Sequence, residues 1–184
     1  MAVIDRPSTA ASAAAPLTAT PAPRDGVRKL LVFGTVASAV MAAIYVAFSV
    51  AVMPILGRKN DADFVDAMQR TNVIIENPAF FVLFFAAFVL PALAAWKMRK
   101  RGGGPALRWA VASAVLYGIG VLTTMAINVP LNETLASTGD ADPSGVRADF
   151  EATWNAWNAV RAVLCLAATG AVARALYLHR TPRA

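Results

Sequence analysis

The chain has 184 residues, 58% of them hydrophobic and 15% charged, with a mean hydropathy of +0.54. Soluble domains carry roughly 25% charged residues, so this composition argues for an integral membrane protein. The net charge of +6 does not make a nucleic-acid binder, because the bases gather at the ends of apolar segments and not on one soluble face. A single cysteine, Cys165, excludes an internal disulfide, a CxxC redox pair and a cysteine-rich metal site. A single histidine, His179, argues against a His-rich metal centre or a bis-histidine haem within one chain. No metal ligand set and no cofactor motif is expected.

Residues 1–25 are rich in Ala, Pro, Ser and Thr and read as a disordered tail, without the continuous apolar stretch of a signal peptide. The remainder, 26–184, reads as one all-α domain, an integral membrane four-helix bundle with spans at about 27–56, 61–98, 106–129 and 143–178. In the first span Gly34, Ser38, Tyr45 and Ser49 recur at helical spacing, a small and polar face that suits packing against other helices. Asn60 is placed to cap the second helix, with Asp61 and Asp63 in its first turn, and Pro78 and Pro91 are expected to kink it. Glu76 and Lys97 bracket an uncharged run of about 30 Å at ~1.5 Å per residue, one membrane thickness.

The basic cluster Lys97–Arg101 and a Gly-Gly-Gly-Pro turn lead to the third span. There Ser113, Tyr117, Gly120, Thr124 and Asn128 share one face, and Pro130 is expected to disturb the helix end. Asp142-Pro143 offers an N-cap and a first-turn proline for the fourth helix. On that helix Trp154, Asn158, Arg161 and Cys165 fall on one face, with Trp157 beside them. An arginine several turns inside a hydrophobic helix is costly unless it meets a partner or a water-filled cavity.

Four spans put both termini on one side. The bases of the tail, of residues 97–108 and of the C-terminal end share that side, and the acids from Asp61 to Glu76 and from Glu133 to Glu151 lie on the other. The positive-inside rule then makes the termini cytoplasmic, in the cytoplasmic (plasma) membrane, with helices two and four extended on the outer side. Asn72, Glu76, Asn128, Asn132, Trp154, Asn158 and Arg161 come from three helices and all map to the outer half, which is expected to hold a site toward the extracytoplasmic side.

Asn72 and Asn77-Pro78, the run Asn128-Val129-Pro130-Leu131-Asn132, and the helix bearing Trp154, Asn158 and Arg161 together resemble the anthrone oxygenase-like membrane proteins, a family that is largely a domain of unknown function. The resemblance covers about residues 30–178. It implies cofactor-free oxidation of an anthrone, or a similar electron-rich polycyclic phenol, with molecular oxygen. Partners would then be the lipid bilayer and a small hydrophobic aromatic substrate. In such a reaction Arg161 and the Asn128 and Asn158 amides are suited to stabilise an oxyanion. Glu76 is either the base or the ion-pair partner of Arg161, two roles that conflict. Trp154 and Trp157 offer aromatic surface, and Asn72, Asn132, Tyr45 and Tyr117 complete the substrate-binding candidates. The competing class is non-enzymatic, a small membrane subunit or lipid-binding protein whose polar cluster only locks the helices together. A filled outer half would favour that class; an apolar pocket reaching Arg161 would favour the enzyme.

Overall fold

The structure, a computed structural model, describes residues 24–139 and 141–180. The expected tail lies outside the described residues, except that Arg24 and Asp25 already belong to the first helix. The described chain is all-helical, with α1 (Arg24–Ala47), a π turn (Phe48–Val52), α2 (Met53–Leu56), α3 (Asp61–Ile75), α4 (Pro78–Lys100), α5 (Pro105–Thr123), a second π turn (Thr124–Asn128), α6 (Val129–Ala136) and α7 (Pro143–Arg180). Four continuous segments are long and apolar enough to cross a membrane: Gly26–Leu56, Pro78–Lys100, Pro105–Ala136 and Pro143–Arg180. The chain is a multi-pass membrane protein.

Two boundaries depart from expectation. The second helix does not run kinked through Pro78; it ends at Ile75 and restarts. Asn77 adopts an extended backbone, and its side-chain oxygen accepts the Phe80 N–H at 3.0 Å, so Asn77 is an N-cap and Pro78 the first-turn proline of a new helix. Pro130 does not end the third span either. The π turn before it resets the backbone, and the helical path continues through Pro130 into α6. By contrast, Asn60 caps α3 as expected, accepting the Asp63 N–H at 2.9 Å.

The four spans pack as α1 against α4 and α7, with α5 between α4 and α7. At the end carrying the Lys97–Arg101 turn, here the basic end, small residues set the spacing. Ala94, Ala95, Ala106, Ala110 and Ala175 close around Val27, Leu31, Met98 and Val172. The Gly102–Gly104 turn takes φ of 88°, 74° and 128°, a left-handed path that L side chains resist. Farther along, Gly34 lets α1 ride over α4, since a Cβ there would lie 3.0 Å from the Pro91 ring. A middle layer holds Met41, Tyr45, Phe84, Tyr117 and Cys165. The layer at the opposite end packs Phe48, Met53, Leu56, Phe64, Met68, Leu135, Phe150 and Trp154. Between these last two layers the bundle is hollow.

Candidate functional site

The hollow is a cavity of about 260 Å³, near the lower end of small-molecule sites, which run roughly 300–1,000 Å³. Both π turns border it. Phe48 comes from the first, and Thr124, Met125 and Asn128 come from the second. A π turn inserts an extra residue and re-aims side chains, and such turns gather at functional sites. The break at Glu76–Asn77 serves the same end, since it lets α3 cross the cavity mouth with Asn72, Ile75 and Glu76 while α4 supplies Phe80, Phe81 and Phe84.

Arg161 projects inward from α7 and is 7% exposed. Its Nη2 donates to the Asn158 side-chain oxygen at 3.0 Å. Its guanidinium lies 4.8 Å from the Tyr45 ring centre and 5.5 Å from that of Trp154, a cation held against two π faces. Asn158 is fully committed to this arrangement, because its amide also donates to the Tyr45 carbonyl at 3.0 Å and to the Ser49 hydroxyl at 2.8 Å. Trp154 forms a wall, packed on Phe48 and stacked on Phe150, with its indole N–H donated to the Asn132 side-chain oxygen at 3.0 Å.

Three polar groups are left over. Among the described residues Arg161 pairs with no carboxylate, and its Nε has no hydrogen-bond partner. Asn128 is 1% exposed, lines the cavity, and neither end of its amide is bonded. A buried amide left unpaired costs about 1–3 kcal/mol, and a buried unpaired guanidinium costs more. A ligand in the cavity that offers an anionic or carbonyl oxygen and an O–H group would satisfy all three.

Of the residues read from the sequence, Arg161, Asn158, Asn128, Glu76, Trp154, Asn72, Asn132 and Tyr45 all line this cavity. Four expectations are corrected. The pairing of Arg161 with Glu76 is absent among the described residues; its partners are Asn158 on its own helix and the two aromatic faces. Glu76 is exposed, because the helix break carries it to the cavity mouth and away from Arg161's depth. Trp157 points out of the bundle, 36% exposed and off the cavity, because it lies to the side of the Trp154–Asn158–Arg161 stripe. Tyr117 is buried behind the cavity, outside its lining, and borders a void of about 10 Å³ next to Tyr45, Arg161 and Cys165.

The sequence reading missed the apolar lining, namely Ile44, Phe48, Phe80, Phe81, Phe84 and Met125. The aromatic run of α4, with Phe80 stacked on Phe84 at 6.0 Å, was the available signal. Among the described residues no cluster of three or more His, Cys, Asp or Glu side chains is placed to hold a metal ion.

A family model described as anthrone oxygenase matches residues 64–171. The chain belongs to the anthrone oxygenase family. No curated protein and no solved structure matches it. The anthrone oxygenase match begins within α3 and ends within α7, so it takes in every cavity-lining polar residue except those of α1. Tyr45 and Phe48, which floor and wall the cavity, lie outside the matched stretch.

Proposed function

We propose that the chain is a membrane-embedded oxidoreductase that converts an anthrone, or a similar electron-rich polycyclic phenol, to a quinone with molecular oxygen and no cofactor. The observation that carries this reading is an apolar, aromatic-walled cavity reaching a buried arginine that no acid among the described residues neutralises, beside an amide with both ends unbonded. Family membership adds the reaction class. The cavity end faces the outside of the cytoplasmic membrane, following the bias of Lys and Arg toward the opposite end.

In this mechanism the substrate's methylene carbon loses a proton, and Glu76 at the mouth is the base. The enolate oxygen that forms is held by Arg161 and the Asn128 amide, donors already in place and poorly screened. The electron-rich enolate passes an electron to oxygen, and recombination forms a hydroperoxide at that carbon. Loss of water leaves the new carbonyl. One substrate and one dioxygen thus give one quinone and one water. Trp154, Phe48 and Phe80 clamp the flat rings. The role of Asn158 is to fix the guanidinium, and Asn132 orients Trp154.

The competing structural reading predicts a filled bundle at this level; the cavity and the unbonded Arg161 Nε favour the enzyme over it. The direct test supplies anthrone to the purified protein in detergent and follows quinone absorbance together with oxygen uptake. Equal consumption of anthrone and oxygen, above the rate of protein-free micelles, supports the proposal. A rate equal to that of the micelles alone sinks it.

A further inference from the structure

The cavity has two margins of opposite chemistry. One adjoins a basin of about 560 Å³ that shares Asn72, Glu76, Val129 and Asn132 with it and carries Asp66, Arg70 and Glu133. The other is made by Phe81 at the start of α4 and Met125 in the second π turn, which line the cavity and yet are 40% and 45% exposed. Their neighbours on the same helices, Val82, Phe85 and Leu122, are exposed and apolar. Within spanning segments such a surface faces lipid tails, so the Phe81–Met125 margin opens into the hydrocarbon.

The helix geometry explains why a gap stands here. α4 and α5 are tied at the basic end by the short Gly102–Gly104 turn. At the other end α6 leans onto α3 and α7, led there by the π turn. Gln69 locks this arrangement by donating to the Leu135 carbonyl at 2.7 Å.

We infer that the cavity is loaded sideways from the bilayer through the Phe81–Met125 margin, so that its substrate is a lipid-dissolved, planar aromatic whose oxygen-bearing edge goes in first. Phe81 and Met125 are then specificity-determining residues, which select the width and apolar character of the trailing edge. The polar basin serves a different traffic, protons and product water near Glu76. The inference rests on the reading of the cavity as a site for planar aromatics. It adds the phase from which they come and the residues that admit them.

The test measures binding without turnover. The full chain, with Trp96, Trp109 and Trp157 replaced by Phe so that Trp154 reports alone, is placed in phosphatidylcholine vesicles. Anthraquinone is delivered from a second vesicle population, and quenching of Trp154 is followed by stopped flow. Met125→Phe narrows the margin and is expected to slow association about tenfold, whereas Met125→Ala widens it and accelerates association, a range that variants of one interface usually span. Opposite signs at one position do not arise from misfolding. Glu133→Phe, which adds bulk to the basin alone, leaves the rate unchanged. Slowing by Glu133→Phe with no response at Met125 overturns the inference, and so does the absence of any Trp154 quenching. A Met125-dependent rate in a protein that shows no anthrone turnover leaves sideways loading standing and defeats the oxidase reading alone.

Discussion

The two ends of the bundle are built on different principles. At the basic end, alanines on α4, α5 and α7 draw the helices together around an apolar layer. At the cavity end the helices carry two π turns and a capped break, and buried polar atoms remain unbonded. A bundle that packs this well at one end has the means to pack at the other. Leaving Arg161 and Asn128 unsatisfied lowers stability at the level of the proposed site, and an unpaired buried ionisable group in a membrane is a functional-site hypothesis by default. Polar clasps hold the cavity end together. Arg147 bonds Glu151, Asp61 and the Gly57 and Lys59 carbonyls, and Gln69 bonds Leu135.

The sharpest way to break this contrast is Arg161. Arg161→Met keeps stem length and apolar bulk while removing charge and donors. If the guanidinium stabilises an oxyanion, turnover per folded molecule falls by about 100-fold or more, the usual scale for losing such a donor. Arg161→Lys keeps the charge without the planar fork and retains part of the activity. The Met variant sheds a desolvated charge but leaves the Asn158 side-chain oxygen without its donor, so turnover is scored per folded molecule, with thermal unfolding read on the same preparation. Equal turnover per folded molecule in wild type and Arg161→Met ends the catalytic role of this residue.

A paired experiment sets the two ends against each other. Asn128→Leu removes an amide with no partner, so stability should hold or rise by about 1–3 kcal/mol while turnover falls by about tenfold. At the basic end Ala175→Leu overpacks a closed layer and should destabilise by about 1–3 kcal/mol, with turnover per folded molecule unchanged. Thermal unfolding and quinone formation on the same preparations read both. If Asn128→Leu destabilises as Ala175→Leu does, the two ends are alike.

Much of this was legible before the structure. The four spans follow from apolar length, and the stripe Trp154–Asn158–Arg161 from a 3.6-residue period, so the inward face of α7 was readable residue by residue. Asn128 and Tyr45 reached the cavity for the same reason. What stayed hidden is whatever breaks that period. No local signal marks the π turns, which rotate the following side chains off the register an ideal helix gives. Asn77-Pro78 did carry a cap signal, yet a proline in an apolar run reads equally as a kink, and the choice decides where Glu76 goes. Trp157 shows the limit of spacing arguments, since it sits three residues from Trp154 and ends up on the lipid side.

Arg147 tests whether clasps, and not apolar burial, hold the cavity end. Arg147→Met removes charge-assisted bonds to Glu151 and Asp61 and should cost about 2 kcal/mol. Added salt should narrow the difference from wild type, because the Asp61 partner is half exposed. Ala175→Leu, by comparison, should show the same deficit at every salt concentration.

The smallest effect concerns Asp142, which precedes α7 and is fully exposed. Its carboxylate accepts the Ser144 hydroxyl at 2.7 Å, the Gly145 N–H at 3.3 Å and the Ser144 N–H at 3.4 Å. The Ser144 hydroxyl, with the two backbone donors behind it, lowers its pKa below the ordinary aspartate value. A carboxylate whose folded pKa is depressed contributes stability that is complete above its unfolded pKa, about 3.9, and is lost as the pH falls through the folded value. Asp142→Asn keeps an acceptor oxygen at the cap but cannot titrate. The variant should therefore unfold at a slightly lower temperature than wild type at pH 7, and the two curves should converge as the pH drops below 4. Turnover, measured at pH 7, should not change, because the cap holds the start of α7 well away from the cavity lining. A gap between the curves that persists at acid pH assigns the cap's contribution to its geometry and removes its charge from the forces that hold the cavity end together.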